Sequence, residues 1–357
     1  IEGSKTAGIT LLRAKKSMIR ENAIQKSDPG IYLEDSEANT ISDNRLEKNT
    51  RGLSLLRSHQ NTLKNNRVAD NEEGISLELS NRNSVLINEI KANKWGLKLL
   101  KSRENTFKRN ALTNNKYSFS ILAEANEDYV QSIEPSNTIN GGAIYYLIGA
   151  QGVSITPDQN ASYVALINSE NITVEGQTLT GNPEGILLVN TKDSRIRKNQ
   201  IKNNLNGIRL VSSPKNTLTD NEISGNEETG ILLEASGNNL LERNRISGDK
   251  TGILINSSEA VFLMGNEISQ HIEYGVLLRN CRGGSLERNR ITENWVGILI
   301  DGSEAISVSN NEIIRNNFGI YLSNSLNNTI SNNDLSGNGR GALSGSVEGN
   351  SVRENKE

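Results

Sequence analysis

Aliphatic residues along this chain recur in short bursts, each broken by Asn, Ser or Gly before a helical turn could complete. Inside a burst the apolar positions are spaced by two, the period of a strand with one buried face. From Gly30 the stretch GIYLEDSEANTISDNRLEKN holds three such bursts, with Ile31 and Leu33 in the first, Ile41 in the second and Leu46 in the third. The unit then repeats. Its leading glycine recurs at Gly8, Gly30, Gly52, Gly74 and Gly96, gives way to Ser118, and returns at Gly185, Gly207, Gly230, Gly252, Gly275, Gly297, Gly319 and Gly341, in steps of 22 or 23 residues.

A unit this short makes one turn of a three-sided coil. Four inward aliphatics contribute about 8 kcal/mol at about 2 each, whereas ordering the coil costs roughly 1.5 kcal/mol for every residue. A single coil therefore cannot stand alone, and stability has to come from stacking neighbours on a shared core. Leucine-rich repeats need a different L-x-x-L-x-L pattern and do not fit.

The units resemble the parallel β-helix repeats of NosD-like and carbohydrate-associated proteins, and those of right-handed β-helix polysaccharidases. The likeness runs over about residues 5–122 and 163–345. NGGAIYYLIGAQGV and YVALINSENITVEG are similar to stretches of large archaeal envelope proteins of that type. The expectation is an all-β protein, a right-handed, single-stranded parallel β-helix of about 16 coils. It forms one solenoid over 1–357, with an irregular coil and loop at 123–162. The two 23-residue units carry their extra residue just before the glycine, in NEETG (226–230) and HIEYG (271–275), at a turn that faces solvent.

Composition narrows the partners. Only 34% of the chain is apolar and 4% aromatic, lean for a round core and adequate for a coil. Lys and Arg (39) nearly balance Asp and Glu (42) with no long run of either sign, which speaks against nucleic acid or an anionic membrane. One cysteine excludes an internal disulfide framework. No apolar stretch reaches the roughly 18 residues that span a bilayer. The opening IEGSKTAGITLL has no hydrophobic signal core, as a trimmed or excised form would have none. An extracellular or cell-surface location is what the family resemblance implies.

Candidate chemistry is sparse. His59 and His271 lie too many coils apart to share a metal, and Cys281 fills a repeat slot held elsewhere by Ser36, Ser58, Ser80, Ser213, Ser236 and Ser303. His271 likewise replaces the turn asparagine of Asn226 and Asn316. No metal and no cofactor is expected. Carbohydrate cleavage requires a placed acid and base, but SDPG at 27–30 has glycine where the related epimerases carry histidine, and RIRK at 195–198 reads as a solvated basic face. No catalytic residue is assigned.

Two outer features remain. Trp95 and Tyr117 precede the ladder glycine on successive coils, so their rings would stack about 4.8 Å apart and offer a platform for a glycan. On the strand after the glycine, the outward middle residue is Leu187, Arg209, Leu232, Leu254, Leu277, Leu299 and Tyr321 in the second half of the chain. Exposed apolar rows of this kind mark partner-binding surfaces, so Leu187, Leu232, Leu254, Leu277, Leu299 and Tyr321 are assigned to an interface. A lateral contact, or open coil ends without a cap-like pattern, would join the chain to itself or to another envelope protein. Four sequons, at Asn160, Asn171, Asn256 and Asn327, permit N-glycosylation.

The asparagines form rows. Twelve share one slot (22, 44, 66, 88, 110, 199, 221, 244, 266, 289, 311 and 333), and a second row holds Asn49, Asn71, Asn93, Asn204 and Asn226. Asn216 belongs to a looser third row. Inward amides at such turns bond the backbone that bends leave unpaired. The function expected is a non-catalytic scaffold of the cell surface or envelope, such as a surface layer or sheath. A carbohydrate-active lyase, hydrolase or epimerase stands second and copper handling of the NosD type third.

Overall fold

The computed structural model describes residues 1–357, which divide into two compact units. Unit 1 comprises Ile1–Ile148, Asn160–Val164 and Gly181–Pro183, and unit 2 comprises Gly149–Gln159, Ala165–Thr180 and Glu184–Glu357. Both are parallel β-solenoids with three short strands per coil, about 16 coils in all, as the repeat implies.

In unit 1 the first strands include Ile31–Glu34, Arg51–Leu56, Glu73–Glu78 and Trp95–Leu100, paired in parallel so that Ile31, Leu53, Ile75 and Leu97 stack one repeat apart. Second strands such as Thr40–Ser42 and Thr62–Lys64, and third strands such as Arg45–Glu47 and Arg67–Ala69, pair the same way. Ile31, Leu33, Ile41 and Leu46 are all fully buried. Unit 2 repeats the design, with Ile186, Ile208, Ile231, Ile253, Val276, Ile298 and Ile320 in register on successive first strands.

The corners explain the polar sequence. Asp35, Ala38, Asp43 and Lys48 in one coil all adopt a positive φ, between 48° and 57°, and each immediately precedes a ladder residue, Ser36, Asn39, Asn44 and Asn49. A left-handed non-glycine residue costs about 1–2 kcal/mol, and the ladder bonds offset it. Asn44 N–H and its Nδ2 both donate to Asn66 Oδ1, at 3.1 and 3.0 Å, and Asn66 does the same to Asn88 at 2.9 and 3.0 Å. The third row is looser, as expected: Asn216 N–H donates to Asn239 Oδ1 at 2.7 Å and its amide bonds Thr191 O at 2.8 Å, but Val261, Gly284 and Ile306 hold the next slots before the row resumes at Asn328.

The leading glycine is needed for close approach. A Cβ on Gly297 would lie 2.6 Å from Gly319 O and 2.7 Å from Ile313 Cγ2. The extra residue of the 23-residue coils falls where expected, because Asn226 and His271 keep the ladder register while Gly230 and Gly275 shift by one. Ile272 is pushed out at the second of these turns and is 75% exposed.

The irregular coil of unit 1 widens the repeat: Phe107 pairs with Ile133 and Leu112 with Ile139. Strand Thr138–Ile139 then turns back on Gly142–Ile148 as an antiparallel pair, through Asn140 and Gly141 at φ 48° and 90°. That Asn-Gly turn is a hairpin signal readable in the sequence.

Candidate functional site

Parallel pairing places Leu187, Arg209, Leu232, Leu254, Leu277, Leu299 and Tyr321 in one row on the outer face of unit 2. Not all of it reaches solvent. Leu187 is 1% exposed and Leu277 4%, so neither is available to a partner. Leu277 lies in register between Leu254 and Leu299 on the coils before and after it. Leu232, Leu254 and Leu299 stay half-buried and Tyr321 is exposed. Arg209 interrupts the row, held by Glu234 at 2.7 Å and Glu184 at 3.5 Å, and burial pushes the Glu184 carboxyl up.

Trp95 and Tyr117 do stack, with ring centroids 4.5 Å apart and planes tilted by 38°. Tyr117, however, is only 4% exposed and cannot contact a glycan. Segment Gly181–Pro183 accounts for part of this, since Gly181 O accepts from Ser118 N–H at 2.9 Å beside it. Trp95 remains half-buried, with Lys98 Nζ 5.6 Å from its ring centroid. It borders an open depression of about 330 Å³ lined by Asp28, Thr50, Arg51, Glu72 and Glu73.

A second aromatic group escaped the sequence reading. Trp295 meets Phe318 at 6.3 Å and Phe318 meets Tyr321 at 6.1 Å, both edge-on, while Arg340 lies 4.9 Å over the Trp295 ring. The signal was a tryptophan two residues before Gly297, one slot away from the aromatics that precede Gly275 and Gly319.

Charged side chains pair between coils instead of converging. Glu175 binds Arg197 at 2.7 Å and Lys198 at 3.5 Å, so the basic pair of RIRK is engaged. Asp220 meets Arg243 at 2.9 Å, which holds its carboxyl below the usual range. Asp28 is solvated. No three His, Cys, Asp or Glu side chains gather as a metal-binding group would require.

The sequence matches the family described as periplasmic copper-binding protein (NosD) over residues 2–132, 130–284 and 269–356. The chain belongs to the NosD family. A search of curated proteins finds no match. Among solved structures the chain is similar to the periplasmic alginate epimerase AlgG, at 12% identity over 95% of this chain and 76% of that one, with a TM-score of 0.37. It is similar to the A-module of mannuronan C-5 epimerase AlgE6 from Azotobacter vinelandii, at 12% identity over 97% and 90%, with a TM-score of 0.39. Tailspike protein 3 of bacteriophage CBA120 matches at 12% identity over 94% of this chain and 56% of that one, with a TM-score of 0.44.

The soft donors of this NosD-family chain do not fit a copper ion. His59 Nδ1 accepts Asn81 N–H at 3.1 Å, and His271 Nδ1 accepts Asp249 N–H at 3.2 Å. Cys281 donates to Ile255 O at 3.3 Å and Arg279 O at 3.2 Å, and burial pushes its thiol up, away from the thiolate that copper prefers. His271 and Cys281 serve ladders in place of Asn and Ser, while His59 stands half-buried outside them, in the column of Glu37 and Asn81.

Proposed function

We propose that this chain is a non-catalytic scaffold of the periplasm or cell surface that binds a protein, in the first instance a second copy of itself, along the outer row of unit 2. The observation that carries this is the set Leu232, Leu254, Leu299 and Tyr321, aliphatic and aromatic side chains on an outward sheet face where unit 1 has Ser54, Ser76 and Lys98. Flat apolar rows of this kind complete their burial against another flat surface. The periplasmic description of the family supports an envelope location.

Sedimentation velocity over a range of concentrations tests the reading. The wild type should associate, and the double variant L254K/L299K should remain monomeric with unchanged circular dichroism. A wild type that stays monomeric at every concentration overturns self-association.

Glycan binding is the second reading, favoured by Trp95 at the edge of its depression. Titration with neutral and uronate oligosaccharides should quench tryptophan fluorescence in the wild type and not in W95F. Equal quenching in both removes Trp95 from the site. The enzyme reading has no comparable support, because the carboxyls raised by burial, Glu184 and Asp249, are both closed off from any substrate.

A further inference from the structure

The second row of asparagines is broken once in unit 2, where Asn226 is followed by Asp249, His271 and Asn294. Asp249 Oδ1 accepts both the backbone N–H and the amide Nδ2 of Asn226, at 2.6 and 2.9 Å, as an asparagine oxygen would. Its other oxygen occupies the position of the missing amide nitrogen. At regular rungs that nitrogen donates to a carbonyl of the preceding coil, as Asn316 does to Ile291 O at 3.1 Å and Asn204 to Leu179 O at 3.2 Å. Asp249 Oδ2 is buried without a hydrogen-bond partner and lies 3.7 Å from His271 Nδ1. Both side chains are 0% exposed.

We propose that Asp249 and His271 together hold one proton, carried by Asp249 as a neutral acid that stands in for the ladder amide. The geometry excludes the charge-separated alternative. His271 Nδ1 accepts the Asp249 N–H at 3.2 Å and so presents a lone pair, which leaves the imidazole proton on Nε2. Were His271 doubly protonated, that backbone N–H would lose its acceptor. An ionised Oδ2 would face a nitrogen lone pair in a dry corner, whereas an O–H supplies the donor that regular rungs such as Asn204 and Asn316 have. No other charge reaches the pair. Asn226 and Asn294 adjoin it in the ladder, and Gly230 and Gly252 crowd it, since a Cβ there would lie 2.9 Å from Oδ2 and 2.6 Å from Nε2. Lys250, with Glu228 at 3.1 Å and Glu273 at 4.0 Å, and Arg315 with Glu293 at 4.0 Å, form their ion pairs on the exposed side of the same turns.

The consequence is compensation. Burial pushes Asp249 up from 3.8 to about 7 and His271 down from 6.5 to about 4. Asp249 by itself would favour the closed corner at low pH, with that advantage lost as pH rises from 3.8 to about 7. His271 by itself would favour the closed corner at higher pH, with the advantage lost as pH falls from 6.5 to about 4. Closed and opened forms of the pair each bind one proton between about 4 and 6.5. The corner therefore keeps its stability across that range although it contains two buried titratable groups. This holds whatever partner the outer row binds.

Hydrogen exchange of the peptides covering 245–275, converted to opening constants at a series of pH values, tests it. The wild type should be flat between about pH 4 and 6.5. D249N should open roughly tenfold more for each unit of acidification in that window, and H271N roughly tenfold more for each unit of alkalinisation. Both variants restore a ladder amide and should fold. Infrared difference spectra, wild type minus D249N at pH 6, should contain a carboxylic-acid carbonyl band. A carboxylate band there, or a wild type whose slope equals that of D249N, would falsify the proposal.

Discussion

A ladder asparagine is stabilising because it serves three coils at once. Asn66 accepts from Asn44 N–H and Nδ2, and donates to Ile41 O at 2.9 Å and to Asn88 Oδ1 at 3.0 Å. N66A removes the acceptor of one buried N–H and the donor of one buried carbonyl. At about 1–3 kcal/mol for each buried group left unmade, the loss should be about 3 kcal/mol, read as a lower urea midpoint. The same residue type on the outside, such as Asn65, bonds only an exposed Asp43, and N65A should leave the midpoint nearly unchanged. The row positions of these asparagines are legible in the sequence. The replacement of two rungs by Asp249 and His271 is legible too, but their shared proton is not, because it depends on a 3.2 Å bond and on burial from both neighbouring coils.

At the scale of the coil, the close approach at the leading glycine sets the stacking. G297A would put a methyl 2.6 Å from Gly319 O and 2.7 Å from Ile313 Cγ2, both held by their own coils. The expected cost is about 1–3 kcal/mol, with increased exchange confined to peptides around 291–320. Uniform loss of protection across unit 2 would show instead that the coils open together. Strand period and glycine spacing expose this element in the sequence, since every coil repeats it. The hairpin at Thr138–Gly142 happens once, and there the averaging that reveals a repeat does not help.

Over the whole chain, charge is spent on neighbour-to-neighbour pairs at the surface. Lys15 with Glu37 at 2.9 Å, Arg82 with Glu104 at 2.6 Å and Arg290 with Glu312 at 2.5 Å each bridge successive coils in solvent. Such pairs are weak and screened, so molar sodium chloride should move the thermal midpoint only slightly. A large fall would assign the pairs a structural weight that their exposure argues against. Copper gives a second check at this scale. With His271 and Cys281 engaged in ladders, Cu(I) titration should show no tight site, and C281S should behave as the wild type. Tight binding lost in C281S would reverse the fit drawn from these donors.

Repetition is what made this protein readable. By itself the sequence determined the parallel β-helix, the coil length, the inward aliphatics, the asparagine and serine rows and the turns that hold the extra residues, because each is a local pattern repeated many times. Tertiary structure alone decided which outward side chains remain outside. Leu277 is buried while Leu254 and Leu299 beside it in the row are not, Tyr117 is covered beside Gly181, and Trp295, Phe318 and Tyr321 meet at one edge. Exposure belongs to a residue's neighbours in space, and period-two alternation says only which face a side chain leaves from.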